Sequence, residues 1–177
     1  MNAVELAKAN GITQMSNYLL YNFGDKLVDL YHRLRFNIDL CERLDISIYS
    51  FPMKYHPIVE EKYFRNRNFL GRHWNRKYIR TIQCILNATK GKVGRGRQFF
   101  EKAFGKEEED FNELLLMPED FILFRLYHEN NGDTQRWRTA FKKLTEEEKK
   151  QALQVIHASD FSNIEAFKKQ TQRVHGF

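Results

Sequence analysis

From His73 to Arg97 the chain reads "HWNRKYIRTIQCILNATKGKVGRGR", a stretch without one acidic residue. Residues 62–100 as a whole hold eleven of the 29 Lys and Arg and no Asp or Glu, so the other 18 cations face all 23 acids. The net charge of +6 therefore comes from one tract. The chemistry such a tract offers is phosphate neutralisation, because each exposed Arg or Lys can replace a counterion on a nucleic-acid backbone. The residues assigned to that task are Arg65, Arg67, Arg72, Trp74, Arg76, Lys77, Arg80, Lys90, Lys92, Arg95 and Arg97. Trp74 supplies a flat ring, and the glycines of "KGKVGRGR" let backbone amides come close to phosphate oxygens. Arginine interleaved with glycine and an aromatic suits RNA or single strands. The loop lacks the G-K-[ST] end of a Walker loop, so it is not a nucleotide cradle of that type. The plainer reading of the same residues is the wetted side of a core helix and its loop.

Other chemistries find less support. The six histidines, His32, His56, His73, His128, His157 and His175, never stand in H-x-x-x-H or H-E-x-x-H spacing. Cys41 and Cys84 form no C-x-x-C pair, and two thiolates cannot by themselves build a zinc or iron-sulfur site. Cys41 falls on the apolar stripe of its helix and reads as packing, whereas Cys84 faces away from the main apolar arc and is the thiol with room to react. The run Glu107 to Asp110 opens a helix, where carboxylates are stabilised by the N-terminal dipole. Met117, Phe121, Phe124 and Tyr127 read as core. No catalytic, metal or cofactor-binding residue is assigned, and the isolated chain is expected to carry no cofactor.

The elements that must hold the basic tract follow from periodicity. "AVELAKANG" is a short helix stopped at Gly11, and "NYLLYNF" (17–23) is a strand. Asp25 reads as an N-cap, and Leu27, Leu30, Tyr31, Leu34, Ile38 and Cys41 recur at three and four through a helix to about Leu44. "ISIYSF" (46–51), stopping at Pro52, is a second strand, which makes a βαβ unit with a parallel pair. Residues 52–71 read as a long connection. A helix from Asn75 to about Thr89 sets Tyr78, Ile79, Ile82, Ile85 and Leu86 on one arc and Arg76, Arg80, Gln83 and Asn87 on a polar stripe. Helices follow at "RQFFEKAFG", "EEEDFNELLLM", "EDFILFRLYHENNG", 135–144, 145–158 and 162–172. The last two open with the capping boxes Thr145-x-x-Glu148 and Ser162-x-x-Glu165.

The runs "YLLYNFGDKLVDLYHRLRFNIDLCERLDISIYSFPMKY", "GRHWNRKYIRTIQCILNATKGKV" and "LLLMPEDFIL" resemble the C-terminal portion of a group of radical SAM proteins, over most of the chain to about Leu123. The resemblance implies a partial (β/α) barrel in which "D-x-x-x-D-L-Y-x-R-L-R" belongs to a crossover helix after a late strand. In that family three cysteines, C-x-x-x-C-x-x-C, hold a [4Fe-4S] cluster beside S-adenosylmethionine, and no segment of this sequence corresponds to them. The chain begins with Met just before a barrel helix and so reads as a half-barrel standing as its own polypeptide, whose strand edge a partner, a homodimer or a C-terminal helix must cover.

The expected fold is α/β and helix-dominated: a partial (β/α) barrel of two to three parallel strands with a C-terminal group of helices. Residues 1–60 form the βαβ segment, 61–117 a basic helix-loop-helix and 118–177 the C-terminal helices, in one compact domain. A chain with 42% hydrophobic and 14% aromatic residues can bury a core without disulfides, and its apolar runs stay short of the ~18 residues a membrane span needs. Glu5 and Lys8 break any signal-peptide core, so the expectation is a cytoplasmic protein with no membrane partner. The expected function is non-catalytic: binding RNA, DNA or a nucleoprotein through the basic tract, in the extreme as an inhibitor of a nucleic-acid-guided nuclease of the anti-CRISPR kind. Two alternatives stand beside it. One is a subunit that completes a radical SAM barrel in trans; the other is a module whose basic tract surrounds its own acids, such as Glu107 to Asp110.

Overall fold

The computed structural model describes residues 3–61, 65 and 67–158. Nine helices and two strands follow one another among them: α1 (Ala3–Ala9), β1 (Gln14–Tyr21), α2 (Leu27–Leu44), β2 (Ser47–Lys54), α3 (Arg76–Ala88), α4 (Arg97–Phe104), α5 (Glu108–Leu116), α6 (Glu119–Leu123), α7 (Arg125–Asn130), α8 (Asp133–Lys143) and α9 (Glu146–Ala158). β1 and β2 pair in parallel, Gln14 opposite Ser47 through Tyr21 opposite Lys54, with α2 as the crossover between them. The βαβ unit read from the sequence is present. The described strands form this two-stranded sheet and no barrel.

α2 covers one face of the sheet because its apolar stripe is continuous: Leu30, Tyr31, Leu34, Ile38 and Cys41 are all buried. While Cys41 packs in a second cluster with Leu40, Ile46 and Ile48, the main core joins Tyr21 of β1 to Leu30, Tyr31, Leu34 and Ile38 of that stripe, to Tyr78, Ile79, Ile82 and Ile85 of α3, to Phe100 and Phe104 of α4, and to Phe111, Leu114 and Leu115 of α5. Tyr31 is its centre, 5.3 Å from the Phe111 ring and 5.5 Å from Phe100, with its hydroxyl donating to the Lys106 carbonyl at 2.8 Å. Burial of such aromatic area is the dominant cohesive term, and the bonded hydroxyl removes the cost of enclosing its polar end.

Among the described residues no helix packs against the other face of the sheet. Along β1 the residues alternate between half-buried and exposed until Tyr21, and the exposed set includes Tyr18 (71%) and Leu20 (49%). Parallel sheets usually bury both faces, so an open one is a departure that needs a reason.

Several local expectations are corrected. β2 does not stop at Pro52 but runs on to Lys54. Ser50 exchanges two backbone hydrogen bonds with Val93, both 2.8 Å, on the side away from β1. Pro52, two residues on, faces that same side, so its missing N–H falls outside the β1 ladder. Asp25 is not the N-cap of α2. Lys26 holds that position, while Asp25 accepts from the Phe23 amide at 2.8 Å and pairs with Arg33 at 2.8 Å. The segment 119–130 is two helices, broken at Phe124, and Phe124 and Tyr127 are exposed where core was expected. The Thr145 box forms as read, its hydroxyl and amide both bonded to Glu148. The helix expected at 162–172, with its Ser162 box, lies outside the described residues.

Candidate nucleic-acid interface

α3 carries the centre of the basic tract. Asn75 caps it, its side-chain oxygen accepting from the Tyr78 amide at 2.8 Å. Its apolar arc is buried, and of the polar stripe Arg76, Arg80 and Asn87 are exposed while Gln83 is half-buried. The buried arc is wider than the periodicity reads, however, since α5 and α6 pack against a second side. Lys77 lies there half-buried, donating to Thr81 Oγ1 at 2.7 Å and to the Met117 carbonyl at 2.5 Å. Burial holds its ammonium pKa down to about 8. Cys84 is buried on the same side, 3.8 Å from a Glu119 carboxylate oxygen, and burial first and that carboxylate second push its thiol up. A thiol so placed is not a nucleophile, which corrects the reactive reading of Cys84. Cys41 accepts from the Ile48 amide at 3.2 Å and is packed, as read.

The structure brings some of the eleven assigned residues together and spends others elsewhere. Trp74 is buried, its indole N–H donating to the Asp25 carbonyl at 3.0 Å and its ring 5.3 Å from Tyr21, so it closes the core and offers no stacking face. Arg80 is bidentate to Glu119. Arg97 bonds Glu42 through two nitrogens and Asp39 at 2.6 Å, which ties α4 to α2 and raises its own pKa further. Arg65 pairs with Glu61, and Arg95 meets Asp45 at 3.4 Å. The acids Glu107 to Asp110 are not the tract's partners: Glu107 pairs with Arg35, and Asp110 accepts from the Lys106 and Glu107 amides. Arg67, Arg72, Arg76, Lys90 and Lys92 are exposed and make no ion pair among the described residues.

Two of those free cations share a turn with a fixed place. Lys90 and Gly91 both adopt left-handed backbone, reversing the chain after α3. Val93 then bridges to Ser50, which lays the turn 90–96 along the edge of β2 that faces away from β1. Lys92 Nζ stands 5.1 Å from the centre of the Tyr49 ring, and Gly94 lies against the same ring. At the C-terminal end of the strands, Lys54 Nζ donates to the Arg67 carbonyl at 3.1 Å. Burial, then the charges of Lys54 and Arg67, hold the His56 imidazole below its usual pKa.

Charge in the sequence does not point to Tyr49, which lies beneath Lys92, to Tyr18 and Phe51 on the same sheet face, or to Lys54 and His56 at the end of the strands near Arg67. The period-two pattern from Gln14 to Leu20 was the signal that points to the face, once the strand is started at Gln14 and not at Asn17. Among the described residues no group of three His, Cys, Asp or Glu could hold a metal ion, and no helix is long and apolar enough to cross a membrane. The two buried cysteines do not fit the three-thiolate cluster that the family resemblance implies. Compared with protein-family models, with curated proteins and with solved structures, the chain matches none, so the likeness to radical SAM proteins rests on the quoted runs alone.

Proposed function

We propose that the chain is a non-catalytic binding protein that holds nucleic acid by its phosphates. The observation that carries this reading is the turn 90–96. It presents Lys90 and Lys92 with glycines between and beside them, it is pinned to β2 at Val93, and its two lysines make no ion pair with the described acids. A cation that makes no ion pair gains most from a phosphate, because no existing ion pair has to be broken. An inhibitor of a nucleic-acid-guided nuclease would put the same surface against a strand that the nuclease holds.

The test is a titration of labelled single-stranded RNA at two salt concentrations, with wild type and with Lys90→Glu combined with Lys92→Glu. Binding that weakens with salt is expected, and the double reversal should lower affinity more than tenfold and reduce the salt slope by about 2. No binding at low salt, or a double variant equal to wild type, contradicts the reading. A second reading, a subunit completing a radical SAM barrel in trans, is favoured by the edge of β1 away from β2, which pairs with no strand among the described residues. Co-expression with a cysteine-bearing half that yields 5′-deoxyadenosine would select it.

A further inference from the structure

The open sheet face has a composition that charge alone does not explain. In register, Tyr18 stands opposite Phe51 and Leu20 opposite Met53, with Tyr49 one pair before them on β2. The Tyr18 and Phe51 rings are 5.7 Å apart, and Tyr18 (71%), Leu20 (49%) and Met53 (47%) remain exposed. No acid or base projects from the positions that alternate onto this face. Neighbouring strands lie about 4.8 Å apart and same-face residues along one strand about 6.6 Å apart, so the rings form a flat shelf and not a pocket.

The shelf adjoins the cationic turn. Lys92 reaches over Tyr49 at 5.1 Å, and the Ser50–Val93 bridge makes the turn a rim along the β2 side. Rings in a row with Lys92 set against the first of them supply the two components that single-strand binding needs: π-faces for unpaired bases and an ammonium group for the backbone. A duplex keeps its base faces stacked on one another and cannot use the shelf. Resting on the nucleic-acid reading above, we infer that the occupant of this face is a single strand, its bases stacked on Tyr18 and Phe51 and its phosphates on the turn that carries Lys90 and Lys92. Trp74, the ring assigned from sequence, is replaced in this task by Tyr18 and Phe51.

Tyr18 gives a clean probe because its ring is mostly in solvent, so truncating it leaves the fold intact, which thermal melting verifies. Fluorescence anisotropy would compare a labelled 12-nucleotide oligo(U) with a 12-base-pair duplex, on wild type, Tyr18→Ala and Tyr18→Phe. Tyr18→Ala should weaken oligo(U) about tenfold with the salt slope unchanged, since a lost stack removes no phosphate contact. Tyr18→Phe should bind as wild type, and duplex affinity should not move. If neither oligonucleotide binds wild type, the nucleic-acid reading falls and this inference with it. If both bind but Tyr18→Ala equals wild type, or loses duplex and single strand alike, the phosphate reading stands and the stacking shelf is wrong. A face that instead self-associates in light scattering, or takes up anionic vesicles with no preference for single strands, overturns it as well.

Discussion

At the scale of single residues, the main finding is that cations adjacent in sequence do different work. Lys77 and Arg76 are neighbours, yet Lys77 is drawn under Met117 and loses solvent, while Arg76 keeps it. The consequence is a pH signature. Lys77 has a pKa near 8 in the folded chain, depressed by burial and partly restored by Glu119. Its unfolded value is about 10.4, so between those limits the unfolded chain binds the extra proton and stability rises with pH. Below about 8 both states are protonated and the full penalty of the buried charge is present. Replacing it by Lys77→Met removes the penalty and the titration together. The stability difference, variant minus wild type, should therefore be more favourable to the variant at pH 7 than at pH 9.5, by about 1–2 kcal/mol. Thermal melts at the two pH values check this, and a pH-independent difference contradicts it.

At the scale of elements, the sheet is held in place by side chains at strand ends more than by strand number. Asn22, fully buried with positive φ, donates to the Tyr55 and Phe69 carbonyls at 3.2 and 3.0 Å and accepts from the Gly71 amide at 2.9 Å. It thereby bolts the end of β1 to the connection after β2. Gly71 is required there, since a β-carbon would stand 2.2 Å from the Phe23 carbonyl oxygen. Asn22→Ala removes three hydrogen bonds, the one from the Gly71 amide fully buried and the two to the Tyr55 and Phe69 carbonyls part-buried, and should cost about 3 kcal/mol in chemical denaturation. A cost below about 1 kcal/mol would mean that water replaces the amide. The elements themselves were largely legible. Spacing placed α2 and α3 to within about two residues, because an apolar stripe at three and four has no competing explanation in "LVDLYHRLRFNIDL" or "YIRTIQCIL". The strand ends were less so, since Pro52 reads as a stop until the Val93 bridge shows which side of β2 its nitrogen faces. The break at Phe124 was hidden for a similar reason: nothing local forbids the helix from continuing.

At the scale of the whole molecule, net charge located the tract but not the surface. Eleven basic or aromatic residues were grouped by sequence, and the fold divides them: Trp74 goes into the core, Lys77 lies half-buried against α5 and α6, Arg65, Arg80, Arg95 and Arg97 meet the chain's own acids, and Arg67, Arg72, Arg76, Lys90 and Lys92 are left to solvent. That division depends on contacts far apart in sequence, such as Arg97 with Glu42 and Lys92 with Tyr49, which no periodicity reports. The open aromatic face became visible only when β1 and β2 were paired in register. On the proposed reading a strand of nucleic acid lies along β2, between the turn 90–96 and the rings of Tyr18 and Phe51. Amide chemical-shift mapping by NMR with an unlabelled oligo(U) tests it most directly. The account predicts shifts confined to residues 16–20, 49–53 and 90–96, whereas shifts centred on the exposed stripe of α3, or none at saturating oligonucleotide, would contradict it.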